Sequence, residues 1–225
     1  MRNPTGATRL ESAARQQDDG RQVNRQIAKW NARYAGREPG FDESPASLLP
    51  PAVDGVNPGR ALDLACGTGR NAIWLARRGW RVDAVDGAET ALDLLLAGAE
   101  RAGCEDRVTA HAADLESEPP GFVIAREAYD LIVDCYFIHR PLFAAVRAGT
   151  RPGGLFVAAL HLPAPAGGRG HRYVLQPGEL EREVKAWRWD ILHSTERAAR
   201  PSAGDDLGVA EIIARRPTRQ PGLRL

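Results

Sequence analysis

The chain has few cysteines, almost no lysine, almost no net charge and no long apolar run. Its three cysteines, Cys66, Cys104 and Cys135, are an odd number, scattered, with no C-x-x-C pair. That pattern excludes a disulfide scaffold and a zinc knuckle, and makes a reducing cytoplasm the expected setting. Lysine occurs only at Lys29 and Lys185, against 28 arginines. The formal net charge is +1, so no global field draws the protein to nucleic acid or anionic lipid. No stretch reaches the ~18 apolar residues that a membrane span needs. Met1–Gly20 is polar and lacks the apolar region of a secretory signal, so neither a leader nor an anchor is expected.

What is present is the size and patterning of a globular domain. The 225 residues, 43% of them apolar, suffice to bury roughly 70% of the unfolded surface without staples. Residues 1–20 read as a disordered tail, and 21–59 as an N-terminal helix and lid segment. Residues 60–216 form the main domain, and 217–225 a C-terminal tail. Val23, Ile27, Trp30 and Tyr34 recur at helical spacing before Gly36. Trp30 and Tyr34 either close over a ligand or pack that helix.

From Arg60 the pattern alternates regularly. Strands are expected at Arg60–Cys66, Trp80–Val85, Val108–Ala112, Tyr129–Cys135 and Leu155–Leu160. Helices fall between them at Asn71–Arg78, Glu89–Ala102 and Pro141–Ala148. Alternation of this kind means right-handed βαβ units and a parallel sheet. After a Pro/Gly-rich loop, Pro163–Gly170, comes a helix over Gly178–Trp187. Two last strands, Trp189–Glu196 and Gly208–Ala214, have no helix between them and should pair antiparallel at a sheet edge. The expected fold is therefore α/β and Rossmann-like. Its sheet has seven strands, mostly parallel, with helices on both faces and a C-terminal antiparallel pair.

The segment Leu62-Asp63-Leu64-Ala65-Cys66-Gly67-Thr68-Gly69-Arg70-Asn71 runs a strand through glycines into a helix. Glycines there permit a sharp turn and close approach of a ligand, and the helix start suits an anionic group. Gly67-x-Gly69-x-x-Ala72 also satisfies the dinucleotide fingerprint, so the flanks must discriminate. Asp63 lies inside a strand buried on both faces, where an unpaired carboxylate costs several kcal/mol. Either it caps backbone amides or it faces a cationic ligand group, which a dinucleotide pyrophosphate does not offer.

These residues resemble the first motif of class I S-adenosylmethionine-dependent methyltransferases, D/E-x-G-x-G-x-G, with Ala65 at the first glycine position. The likeness spans roughly residues 25–215 and is greatest to small bacterial methyltransferases of the tellurite-resistance and thiopurine type. It is carried also by W-N-A-R-Y near the start, by H-R-P-L-F after the fourth strand and by L-Q-P-G-E-L later. The resemblance implies S-adenosylmethionine as cofactor, S-adenosylhomocysteine as product, and contacts from Asp63, Ala65, Cys66, Gly67 and Gly69. Asp86, 17 residues past Gly69, would accept the ribose hydroxyls, with Gly87 beside it. Asp114 would accept from the adenine amine, with the backbone of Leu115 nearby, although Asp there also suits a turn. Asp134 at the end of the fourth strand completes the cofactor set.

The acceptor should lie at Asp134-Cys135-Tyr136-Phe137-Ile138-His139-Arg140. No N/D-P-P-Y signature of base or amide methylation is present, and no metal cluster is visible. That leaves His139 as a candidate base and Arg140 as a candidate anion clamp. His161, ending the fifth strand, is a candidate for the pocket rim. The expected function is methyl transfer to a small molecule, with no metal, no membrane and no specific nucleic acid. A non-catalytic S-adenosylmethionine-binding module and an NAD-type oxidoreductase are the alternatives. The sequence leaves the oligomeric state open.

Overall fold

The computed structural model describes residues 25–37, 44–163, 173–198 and 207–218. The expected tail at 1–20 and most of the one at 217–225 lie outside them, as do most of the loops at 163–170 and 199–206.

Helix α1 spans 25–34, and a short α2 covers Leu49–Ala52. The βα alternation follows: β1 Arg60–Leu64, α3 Arg70–Ala76, β2 Arg81–Asp86, α4 Glu89–Arg101 and β3 Val108–Ala112. Then come β4 Tyr129–Cys135, α5 Leu142–Gly149, β5 Thr150–Leu162, α6 Glu179–Ala186, β6 Asp190–Arg197 and β7 Gly208–Arg215. The seven strands form one sheet in the order β3-β2-β1-β4-β5-β7-β6. β1 lies parallel between β2 and β4, while β7 runs antiparallel to both β5 and β6. The expected fold class and terminal antiparallel pair are present.

Two cores explain the pattern. Side chains alternate across a strand, so Ala61, Val82, Leu131 and Val157 meet α2, α3 and α4 on one face. Leu62, Leu64, Ile132 and Phe156 meet α5, α6 and the Trp187–Trp189 pair on the other. Burial on both faces is why the strands read as continuous apolar runs.

Most boundaries differ from expectation by one or two residues, and two of the differences have a local backbone cause. β1 stops at Leu64 rather than Cys66, because Ala65 turns into the left-handed region with φ +49°. β5 starts at Thr150, so Pro152-Gly153-Gly154 lies inside it. There the register with β4 shifts between Tyr129 and Leu131, and Gly153 takes φ +83°. The extra residues form an irregularity of the kind glycine tolerates in a strand.

Candidate functional site

A cavity of about 1100 Å³ opens at the C-terminal ends of the parallel strands. This is where doubly wound sheets bind ligands, because the loops diverge where the strand order reverses. Its floor is the turn after β1, with Ala65, Cys66, Gly67 and Thr68 among the walls. The Cys66 amide donates to the Val85 carbonyl at 3.0 Å, and the Gly69 amide to the Cys66 carbonyl at 3.0 Å, closing the turn. Gly67 and Gly69 take φ +55° and +86°, which side-chain-bearing residues rarely adopt. A Cβ on Gly69 would stand 1.7 Å from Leu95 Cδ1, so this glycine is required for packing of α4 rather than for the cavity.

The turn is fastened to β2 by Asp86. Its Oδ2 accepts from the Gly67 amide at 2.8 Å, and its Oδ1 from the Ala88 amide at 2.8 Å. A carboxylate has about four acceptor sites, so two bonds leave capacity for a ligand hydroxyl. Burial raises the Asp86 pKa, while the Ala88, Gly67 and Gly87 amides oppose the shift. Asp114 and Leu115 line the same cavity beyond β3. Asp114 Oδ1 also accepts from the Glu116 amide at 2.8 Å, so Asp114 holds a turn and lines the cavity at once.

Asp63 and Asp134 lie beneath the wall rather than in it. They are 1% and 3% exposed. Neither oxygen of Asp63, nor Oδ1 of Asp134, completes a hydrogen bond. Burial pushes the Asp63 pKa up to about 7, against the Ala72 amide, the Arg70 charge and the Asn71 side chain. Burial, then the Asp63 charge, holds Asp134 well above the ordinary carboxylate range. A carboxylate kept unsatisfied under a ligand cavity is suited to a cationic group above it. The residues thus fit a ligand carrying an ammonium, a ribose and an adenine.

Helix α1 crosses the cavity mouth. Asn31 Oδ1 accepts from the Thr90 amide at 3.0 Å and so caps α4, whose own N-cap residue, Ala88, cannot. Ile27 packs on Gly87, where a Cβ would stand 3.0 Å from Ile27 Cγ1. Trp30 and Tyr34 stack at 5.8 Å and both line the cavity, and the Tyr34 hydroxyl lies 3.1 Å from the Cβ position of Gly67. Burial and the Asp86 charge raise the Tyr34 pKa.

The far wall is formed by the segment after β4. Tyr136, Phe137 and Ile138 line the cavity, but His139 and Arg140 are not among its walls. Arg140 instead grips Glu179 through two bonds, Nε to Oε1 at 2.6 Å and Nη2 to Oε2 at 2.9 Å, and donates to the Val174 carbonyl. Its bidentate fork is spent on tying the loop to α6. His139 Nδ1 stands 3.9 Å from Glu116 Oε1. His161, Tyr173, Arg70 and Arg197 join the wall in their place. His161 had one legible signal, a polar residue within the apolar run of β5; Tyr173 and Arg197 had none. Among the described residues no group of three or more His, Cys, Asp or Glu could hold a metal. No helix there is long and apolar enough to cross a membrane.

Fold and site together define a Rossmann-like domain with a cavity at the C-terminal ends of its parallel strands. Residues 61–154 match the family described as "Methyltransferase domain". The chain is 33% identical over 138 residues to ribosomal RNA small subunit methyltransferase C of Alcanivorax borkumensis, covering 55% of this chain and 40% of that protein. The TehB structure from Haemophilus influenzae superposes with a TM-score of 0.63 at 20% identity, covering 76% of this chain and 62% of that one. A geranyl diphosphate methyltransferase solved with GPP and sinefungin gives 0.60 at 15%, covering 75% of each chain. The chain spans less than two thirds of the length of the curated relatives it matches. With both solved structures it shares the fold.

Proposed function

We propose that the protein transfers a methyl group from S-adenosylmethionine to a small molecule held in the same cavity. The observation that carries this is the composition of the cavity wall. The glycine turn, Asp86 and Asp114–Leu115 stand on one side, and Tyr136, His161, Tyr173 and Arg197 on the other. Bound there, S-adenosylmethionine would supply a methyl on cationic sulfur, open to in-line displacement by an acceptor nucleophile. Asp86 accepts hydrogen bonds from hydroxyls, Asp114 accepts from an amine, and the unsatisfied Asp63 carboxyl lies beneath the wall, available to an ammonium. Arg33 on α1 and Arg37 just beyond its end bring positive charge for a carboxylate. The chain's contribution is mainly proximity, orientation and exclusion of water by α1. A cytoplasmic setting agrees with the three free cysteines.

The ribosomal RNA methyltransferase relative favours a second reading, an RNA acceptor. Against it stand the net charge of +1 and the Asp134-Cys135-Tyr136-Phe137 sequence where N/D-P-P-Y would be expected. Calorimetry with S-adenosylhomocysteine, followed by an acceptor panel read by product mass, tests both. Micromolar binding and a small product 14 mass units heavier than its acceptor support the proposal. Salt-resistant methylation of RNA, with no small product, would establish the alternative.

A further inference from the structure

Tyr136 is held in a conformation its residue type avoids. It leaves β4 at φ +66°, in the left-handed region, and the residue is 45% exposed at the cavity wall. For a bulky side chain such a backbone costs energy and persists only where surroundings impose it, commonly at functional sites. Here the surroundings are specific. The Tyr136 amide donates to the Ala159 carbonyl at 2.7 Å, fixing the turn to β5. The His161 ring lies 5.0 Å from the Tyr136 ring at an interplanar angle of 35°. The Arg70 guanidinium lies 5.7 Å from the same ring centroid. Three elements, the start of α3 and the ends of β4 and β5, thus converge on one aromatic ledge.

Its charge is unbalanced. The other cation near the strand ends, Arg197, is committed to Glu211 Oε1 at 2.5 Å. Arg70 makes no ion pair among the described residues, and its charge reaches the buried Asp63 only at a distance. The acids of the cavity wall, Asp86, Asp114 and Glu116, stand on the β2 and β3 side. Burial lowers the His161 pKa, so its ring is neutral near pH 7 and supplies aromatic surface rather than charge.

We propose that Tyr136, His161 and Arg70 form the acceptor subsite, and that it takes a planar aromatic anion, with the ring on the Tyr136–His161 ledge and the charge at Arg70. The inference rests on the methyl-transfer reading and specifies its acceptor class. Offset aromatic contact and a guanidinium fork are the two interactions such a ligand requires.

The test uses the full chain saturated with S-adenosylhomocysteine and benzoate as probe, followed by ligand-observed NMR. Benzamide keeps the plane without the charge, and cyclohexanecarboxylate keeps the charge without the plane. Benzoate should bind about tenfold or more tightly than either control, and Arg70→Gln should remove that preference. Tyr136→Asn, which tolerates the left-handed backbone, should weaken benzoate while leaving S-adenosylhomocysteine affinity within about threefold. Equal binding of benzoate and both controls would overturn the subsite. So would an Arg70→Gln variant that loses S-adenosylhomocysteine and keeps benzoate, since Arg70 would then serve the cofactor. Arg70→Lys, which keeps the charge but not the fork, covers the case in which Arg70→Gln does not fold. Failure of the unmodified chain to bind S-adenosylhomocysteine would overturn the methyl-transfer reading, and benzoate in the same samples would still decide the subsite.

Discussion

The Gly67 amide donates to Asp86 Oδ2 at 2.8 Å, so the residue proposed to read the ribose also clamps the turn that forms the cavity floor. The second oxygen of Asp86 caps the start of the next helix through Ala88. Structure and binding therefore depend on one carboxylate. Asp86→Ala should cost ~1–3 kcal/mol of stability through two orphaned amides, and weaken S-adenosylhomocysteine about tenfold or more. Thermal unfolding and calorimetry on the same variant check both effects. Unchanged affinity would remove Asp86 from the ribose site.

Ala65 occupies a left-handed position, φ +49°, where the related motif has glycine. Ala65→Gly should therefore stabilise the protein, by about 0.5–1 kcal/mol after the added chain entropy is subtracted. S-adenosylhomocysteine affinity should hold or improve. A lower melting temperature in this variant would show that the surrounding turn, not the residue, bears the strain.

Asp63 gives the protein a pH dependence of known sign. Its pKa is about 7 folded against an ordinary 3.8. Between these values the folded state holds a proton that the unfolded state has lost, so stability falls as pH rises through the window. The slope is up to ~1.4 kcal/mol per pH unit. Asp63→Asn, isosteric and neutral, should gain more over the parent at pH 8 than at pH 5. Melting curves at the two values decide it, and an equal gain at both would contradict the assignment. The same variant should bind S-adenosylhomocysteine more weakly if Asp63 compensates its ammonium.

Arg140→Ala is expected to affect stability only. The Arg140 side chain is 46% exposed, so loss of its bond to Glu179 should cost less than ~1 kcal/mol after solvent screening. A double-mutant cycle with Glu179→Gln should show coupling of that size, and turnover on an identified acceptor should be unchanged. A large fall in turnover with intact folding would return Arg140 to the site.

The order of elements was legible because each strand and helix carries its own period, and glycines mark the turns between them. Asp86 and Asp114 were legible for a related reason: they end consecutive strands, and strand ends converge wherever a parallel sheet is doubly wound. Ala65 was readable as a departure from the motif, but a residue letter does not reveal a φ angle.

The sequence by itself determined the α/β alternation, the glycine turn and the acids at successive strand ends, because those depend on local periodicity and short-range backbone geometry. Only the tertiary structure decided which side chains face the cavity beyond β4. Arg140 is turned away by Glu179, a partner 39 residues later. Tyr136 is turned inward by a left-handed backbone, and His161 meets it because β4 and β5 lie side by side. Such choices depend on contacts between distant segments and on backbone angles at single residues, which no local pattern encodes.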